Sequence, residues 1–193
     1  LEVRGERGAI VRALTTTRMV DRLGELYGVP VYETAVGFKY VGPKMMETNA
    51  LLGGEESGGY AFRGHIPERD GILAALYFLD LMARTGKRPT ELVRLLFDKV
   101  GEHYYDRVDI HLEEAQKPAI MAAVSASRPK EIAGYKVTGI SNLDGYLFNL
   151  EGGGWLLIRF SGTEPLMRIY TEVRDKARVP EVLEAGKRLA GVA

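Results

Sequence analysis

The sequence contains no cysteine, which excludes disulfides, thiolate catalysis and cysteine-ligated zinc. Histidine is scarce as well. His65, His103 and His111 stand too far apart for a local ligand spacing such as HExxH, so each reads as a surface or packing residue. There is no excess of either charge, because 26 Lys plus Arg balance 26 Asp plus Glu. A global basic field for nucleic acid or an anionic membrane is therefore missing. No apolar run approaches the roughly 20 residues of a membrane span, and no signal-peptide pattern opens the chain, so a soluble cytoplasmic protein is expected. The first residue is Leu1 rather than Met. LEVRGERGAIV reads as the end of a helix running into a strand, which points to a piece of a longer protein that lacks an opening element.

What is present suffices for real cores. At 193 residues, 46% apolar and 27% charged, the chain fits one large domain or two small ones. Residues 9–15 (AIVRALT) suit a buried strand, Thr16 or Thr17 a helix cap, and residues through Tyr27 a helix with Met19, Val20, Leu23 and Leu26 on one face. VPVYET is a second strand, GFKYVGPK a loop, and Pro43 opens a short helix to Asn49. Leu51 and Leu52 lead as a third short strand into the glycine-rich LLGGEESGGYAFRGH. Residues 70–85 form an almost wholly apolar helix, expected to be buried. Thr90 caps the next, ELVRLLFDKVG.

After that the rhythm changes. YYDRVDIHL alternates as a strand, and KPAIMAAVSAS is a helix with Pro118 in its first turn. Strands then follow in residues 135–150, 154–162 and 166–175, with Gly152 to Gly154 marking a hairpin and Pro180 opening a last helix. The fold class predicted is α/β, a mostly parallel sheet with helices on both faces, over residues 1–103. A small α+β domain with a mainly antiparallel sheet follows over residues 104–193.

Three segments carry chemistry. In GGEESGG, Glu55, Glu56 and Ser57 stand among glycines that permit close approach of the backbone, although a plain strand-to-helix connection has the same composition. In RFSGTEPLMRIY, Arg159, Ser161, Gly162, Thr163 and Arg168 combine planar guanidinium donors, hydroxyls and turn amides, a set suited to a phosphate dianion. A β-hairpin with a polar turn shares that pattern. Lys39, in VGFKYVG, stands between two glycines where a cation could reach a ligand or simply be solvated. A P-loop is excluded because no Lys-Ser/Thr follows the glycines of GGEESGG.

Taken together, TTTRMVD, VGFKYVG, GGEESGG with GHIPERDGILAAL, and RFSGTEPLMRIYTE resemble, in the same order, the α-D-phosphohexomutases, a family that includes phosphoglucomutase and phosphomannomutase. The resemblance implies a four-domain enzyme of which this chain is most of the third domain and all of the fourth. It implies that Glu55 and Ser57 hold sugar hydroxyls, with Lys39 near the ligand. It also implies that Arg159, Ser161, Gly162 and Thr163 grip the non-reacting phosphate, with Arg168 beside them. Glu55→Ala is then expected to impair turnover with little loss of stability, as for an acidic residue on an exposed loop.

The family's phosphoserine pattern, T/S-A-S-H-N-P, and its metal loop, D-G-D-x-D-R, occur nowhere in these residues. No catalytic residue and no metal ligand are therefore expected here. Mg²⁺ and glucose 1,6-bisphosphate are cofactors of the full-length parent, an isomerase and phosphoprotein of carbohydrate metabolism. Its expected partners are a hexose phosphate and the domains missing from this chain, without nucleic acid or membrane. By resemblance the parent moves a phosphoryl group between O1 and O6 of a hexose through a bisphosphate. The loop resembles the phosphoglucomutase and phosphomannomutase branches more than the glucosamine branch, which usually has His where Gly59 stands. Glucose is the favoured sugar, although glucose and mannose differ only at C2 and Glu55 with Ser57 would read hydroxyls shared by both. Phosphomannomutase, or a non-catalytic sugar-phosphate-binding module, is the alternative.

Overall fold

A computed structural model describes residues 1–161 and 164–192. They divide into two units, Leu1–Gly101 and Glu102–Ala193. Among the described residues no helix is long and apolar enough to cross a membrane.

The first unit is built on β1 (Ile10–Ala13), buried along its whole length. It pairs in parallel with β2 (Val31–Thr34) on one side and with β3 (Leu52–Gly54) on the other. An edge strand, β4 (Tyr60–Phe62), runs antiparallel to β3. Alternate residues of a strand face opposite sides of the sheet. Val11 accordingly packs with Phe38, Val41 and Met45 of α2 (Phe38–Thr48), while Arg12 turns the other way to meet Asp21 of α1 (Met19–Tyr27). Gly53 lies beneath α2. A Cβ there would overlap the Met45 sulfur and a Val41 methyl, so this glycine serves close helix packing rather than the loop after it.

Three local expectations change. GFKYVGPK is not a loop: α2 starts at Phe38 and carries Pro43 inside it, placing Lys39 in its first turn. Burial of Phe38, Val41 and Met45 against the sheet outweighs the missing Pro43 amide bond. The helix after it, α3 (Gly71–Thr85), has no buried residue, and Ile72 is 79% exposed. The sheet offers α3 only the three residues of β4, where Tyr77 stacks on Phe62 at 4.4 Å, too little to cover an apolar helix on all sides. In α4 (Pro89–Val100) the N-cap is Arg88, not Thr90. Pro89 takes the first helical position, and the Glu91 carboxylate accepts from the Arg88 amide at 2.8 Å.

Asp70 caps α3, accepting from the Leu73 amide at 2.8 Å. That bond, with a smaller contribution from His65, holds the Asp70 carboxyl below its usual range. A depressed folded-state pKa adds stability that is present above the unfolded value and is lost as pH falls through the folded one. Asp70→Ala is thus expected to lower the melting temperature at pH 7 and to flatten its acid fall. Equal melting curves for the two proteins at pH 7 and pH 3 would contradict this.

The second unit is a six-stranded antiparallel sheet in the order β5-β10-β9-β8-β7-β6. Its strands are β5 (Tyr104–His111), β6 (Glu131–Ile132), β7 (Tyr135–Ser141), β8 (Tyr146–Leu150), β9 (Trp155–Phe160) and β10 (Leu166–Val173). Phe148, Leu156, Ile158, Met167 and Ile169 meet Val124 of α5 (Lys117–Ala126) and Val182 of α6 (Val179–Ala190) in one core. His103 belongs to this unit, its Nδ1 2.9 Å from the buried Glu172 carboxylate of β10. That is a packing histidine with a partner.

Candidate functional site

Because β1, β2 and β3 run parallel, their carboxyl ends lie along one sheet edge, where ligands of open α/β sheets bind. The connections leaving that edge hold TTTR, TAVG and EESGG. Parallel pairing thus brings together three segments separated in sequence.

Glu55 to Gly59 form a hairpin loop between β3 and β4, not a strand-to-helix connection. The Glu55 amide donates to Gly59 O at 2.9 Å, and the Gly58 amide to Glu55 O at 3.1 Å. Gly58 takes φ +90, a conformation that favours glycine. Glu55 itself is only 5% exposed, contrary to the expectation of an exposed loop residue. Its Oε1 accepts from the Gly37 amide at 3.0 Å, and its Oε2 lies 3.9 Å from Arg69 Nη1. This carboxylate therefore clasps the second loop to the third, with one oxygen turned toward a cation. Ser57 is exposed on the turn. Lys39 is exposed too, two residues past Gly37, with Nζ 4.9 Å from the centre of the Tyr40 ring.

Sequence reasoning missed Arg12 and Arg69. Arg12 is 1% exposed, bidentate to Asp21 at 2.9 and 3.0 Å, and 2.9 Å from Glu33 Oε2. Arg18 approaches the same Glu33 oxygen at 3.4 Å. So Asp21 of TTTRMVD is scaffolding that ties α1 to the end of β1, while Glu33 ties β2 to the same guanidinium. The only sequence signal was one arginine inside a β-branched run. Arg69 lies across Gly59, where a Cβ would approach its Cδ to 2.6 Å. The Thr16 hydroxyl, in the loop after β1, is buried without a hydrogen-bond partner among the described residues.

The second cluster is in the other unit. Pairing of β9 with β10 sets Arg159 opposite Arg168, and pairing of β10 with β5 sets Arg168 opposite Asp109. Opposed residues share a sheet face, so the two guanidiniums are neighbours. Each meets carboxylates: Arg159 Nε is 3.0 Å from Asp144 Oδ2, and Arg168 lies 3.4 Å from Asp109 and 3.5 Å from Glu164. Ser161 is buried. Its amide donates to Leu166 O at 2.8 Å, and its Oγ accepts from the Glu164 amide at 3.1 Å. Gly162 and Thr163 lie outside the described residues. The Lys117 ammonium, which sequence reasoning did not single out, donates to Ser161 O at 3.0 Å.

Residues 2–100 match the family description "Phosphoglucomutase/phosphomannomutase, alpha/beta/alpha domain III", and residues 110–186 match the same family's C-terminal domain. The chain belongs to the phosphoglucomutase/phosphomannomutase family. It is 33% identical over 182 residues to a phosphoglucomutase/phosphomannomutase of Thermococcus kodakarensis, covering 94% of this chain and 38% of that protein. A phosphoglucosamine mutase of Ruegeria pomeroyi is 32% identical over 95% of this chain and 37% of its own length. A solved structure, a putative phosphomannomutase from Thermus thermophilus, superposes with a TM-score of 0.79 at 33% identity, over 97% of this chain and 37% of that one. The chain thus spans less than two fifths of the length of these phosphohexomutase relatives. Their names cover several sugars.

Proposed function

We propose that this chain grips the substrate of a phosphohexomutase that interconverts a hexose 1-phosphate and a hexose 6-phosphate through a bisphosphate, with glucose as the favoured sugar. The observation that carries the reading is the sheet edge at which Glu55, Ser57 and the Lys39 turn converge, on a chain matching both family domains in order. Glu55 and Ser57 would hold sugar hydroxyls, with Lys39 beside them. Arg159 and Ser161, with Gly162, Thr163 and Arg168, would hold the phosphate that is not reacting. Carboxylate and guanidinium give matched charge-assisted partners for hydroxyls and phosphate. Hydroxyl contacts that serve either orientation of the sugar, and a separate phosphate grip, suit a substrate that presents its two ends in turn.

Gly59 supports a glucose or mannose substrate over glucosamine. A side chain at that position would displace Arg69 from its place beside Glu55. Mg²⁺ and the bisphosphate belong, in this proposal, to the whole protein. Among the described residues no group of three or more His, Cys, Asp or Glu side chains is placed to hold a metal ion.

The 193-residue chain, incubated with glucose 1-phosphate, Mg²⁺ and a trace of glucose 1,6-bisphosphate, is expected to bind the sugar phosphate and to yield no glucose 6-phosphate. Product formed in proportion to chain concentration would overturn the division of labour. Absence of any calorimetric binding of the sugar phosphate would overturn the grip. For the whole protein, a coupled assay on glucose 1-phosphate and mannose 1-phosphate decides the sugar; turnover of neither leaves a binding module.

A further inference from the structure

We propose that Lys117 is a positioning residue of the phosphate loop, holding Ser161 in place and supplying the loop with positive charge. The proposal rests on the phosphate-grip reading above. Lys117 is the first residue of α5, 44 positions before Ser161, yet its ammonium donates to the Ser161 carbonyl at 3.0 Å. The other end of the loop is tied to the same β5–α5 connection, since the Leu112 amide donates to Pro165 O at 2.9 Å. Ser161 and Pro165 are thus tied to Lys117 and Leu112, which flank the connection between β5 and α5.

The charge balance gives the Lys117 tie a second role. Arg159 and Arg168 both stand against carboxylates, whereas Lys117 makes no ion pair among the described residues. Its charge is left over at the loop. A neutral donor would staple α5 to the sheet equally well. An ammonium on the carbonyl of a loop that binds a dianion also lowers the cost of bringing that dianion in. Lysine is a compact point charge, so a carbonyl held by one of its protons keeps the charge at the loop.

The test titrates glucose 1-phosphate into the 193-residue chain by calorimetry, for wild type, Lys117→Met, Lys117→Arg and Arg159→Ala, with melting curves alongside. Lys117→Met is expected to bind about tenfold more weakly, at a melting temperature within about 2 °C of wild type. Lys117→Arg, which keeps charge and donor, is expected to recover affinity to within about threefold of wild type. Unchanged affinity in Lys117→Met beside a weakened Arg159→Ala overturns the role of Lys117 alone. Weakened binding that arginine does not rescue, with both lysine variants melting lower, makes Lys117 a staple and also overturns it. Binding that Arg159→Ala leaves intact, or none in wild type, removes the phosphate grip and this proposal with it.

Discussion

Glu55→Ala is expected to destabilise the first unit by about 1–3 kcal/mol, because the part-buried Gly37 amide would lose its acceptor and the buried carboxylate its place in the packing. In a domain of this size that is a fall of roughly 4–20 °C in its melting temperature. The expectation reverses the one drawn from sequence, in which an acidic residue on a glycine loop is exposed and thermally silent. Glu55→Gln separates the two roles. Its amide oxygen can still accept from Gly37, so stability should stay within about 1 kcal/mol of wild type. Affinity for glucose 1-phosphate should still fall, since a neutral amide is the weaker acceptor of sugar hydroxyls. Thermal denaturation with calorimetric titration of the three proteins reads both effects. If alanine leaves the melting temperature unchanged, the clasp to Gly37 carries no weight. If glutamine keeps full affinity, Glu55 is scaffold and not a sugar ligand.

Arg159→Ala should weaken sugar-phosphate binding by about 1.5–3 kcal/mol, roughly 10- to 150-fold, the range of a hydrogen bond to a charged group. Little stability should go with it, because Asp144 retains access to water once its arginine partner is gone. Arg159→Lys should recover only part of the affinity. An ammonium lacks the planar fork with which a guanidinium can meet Asp144 and a phosphate together. Equal affinity for phosphate in wild type, alanine and lysine forms would remove Arg159 from the grip. Competition by inorganic phosphate provides an independent reading, since it should weaken in step with the sugar phosphate.

The sequence by itself determined most of the elements, their order and the family, but not the edge strands β4 and β6. Strand and helix periodicity, the Gly and Pro punctuation, and the four motifs are all local, and local spacing is what a sequence displays. It also placed Arg159 and Arg168 on successive strands, because a short turn joins them. What only the tertiary structure decided depends on residues far apart in the chain. Glu55 is buried because Gly37, 18 positions earlier, donates to it across the sheet edge. Lys39 rides on a helix rather than a loop because α2 gains more from packing on β1 and β3 than Pro43 takes away. α3 has an exposed face because an apolar composition states what a helix could bury, while the neighbouring strands set how much is covered. Arg12 with Asp21 and Glu33, and Lys117 with Ser161, follow the same rule. Each is an ordinary charge in the sequence, and strand pairing and helix packing bring its partner within 3.0 Å.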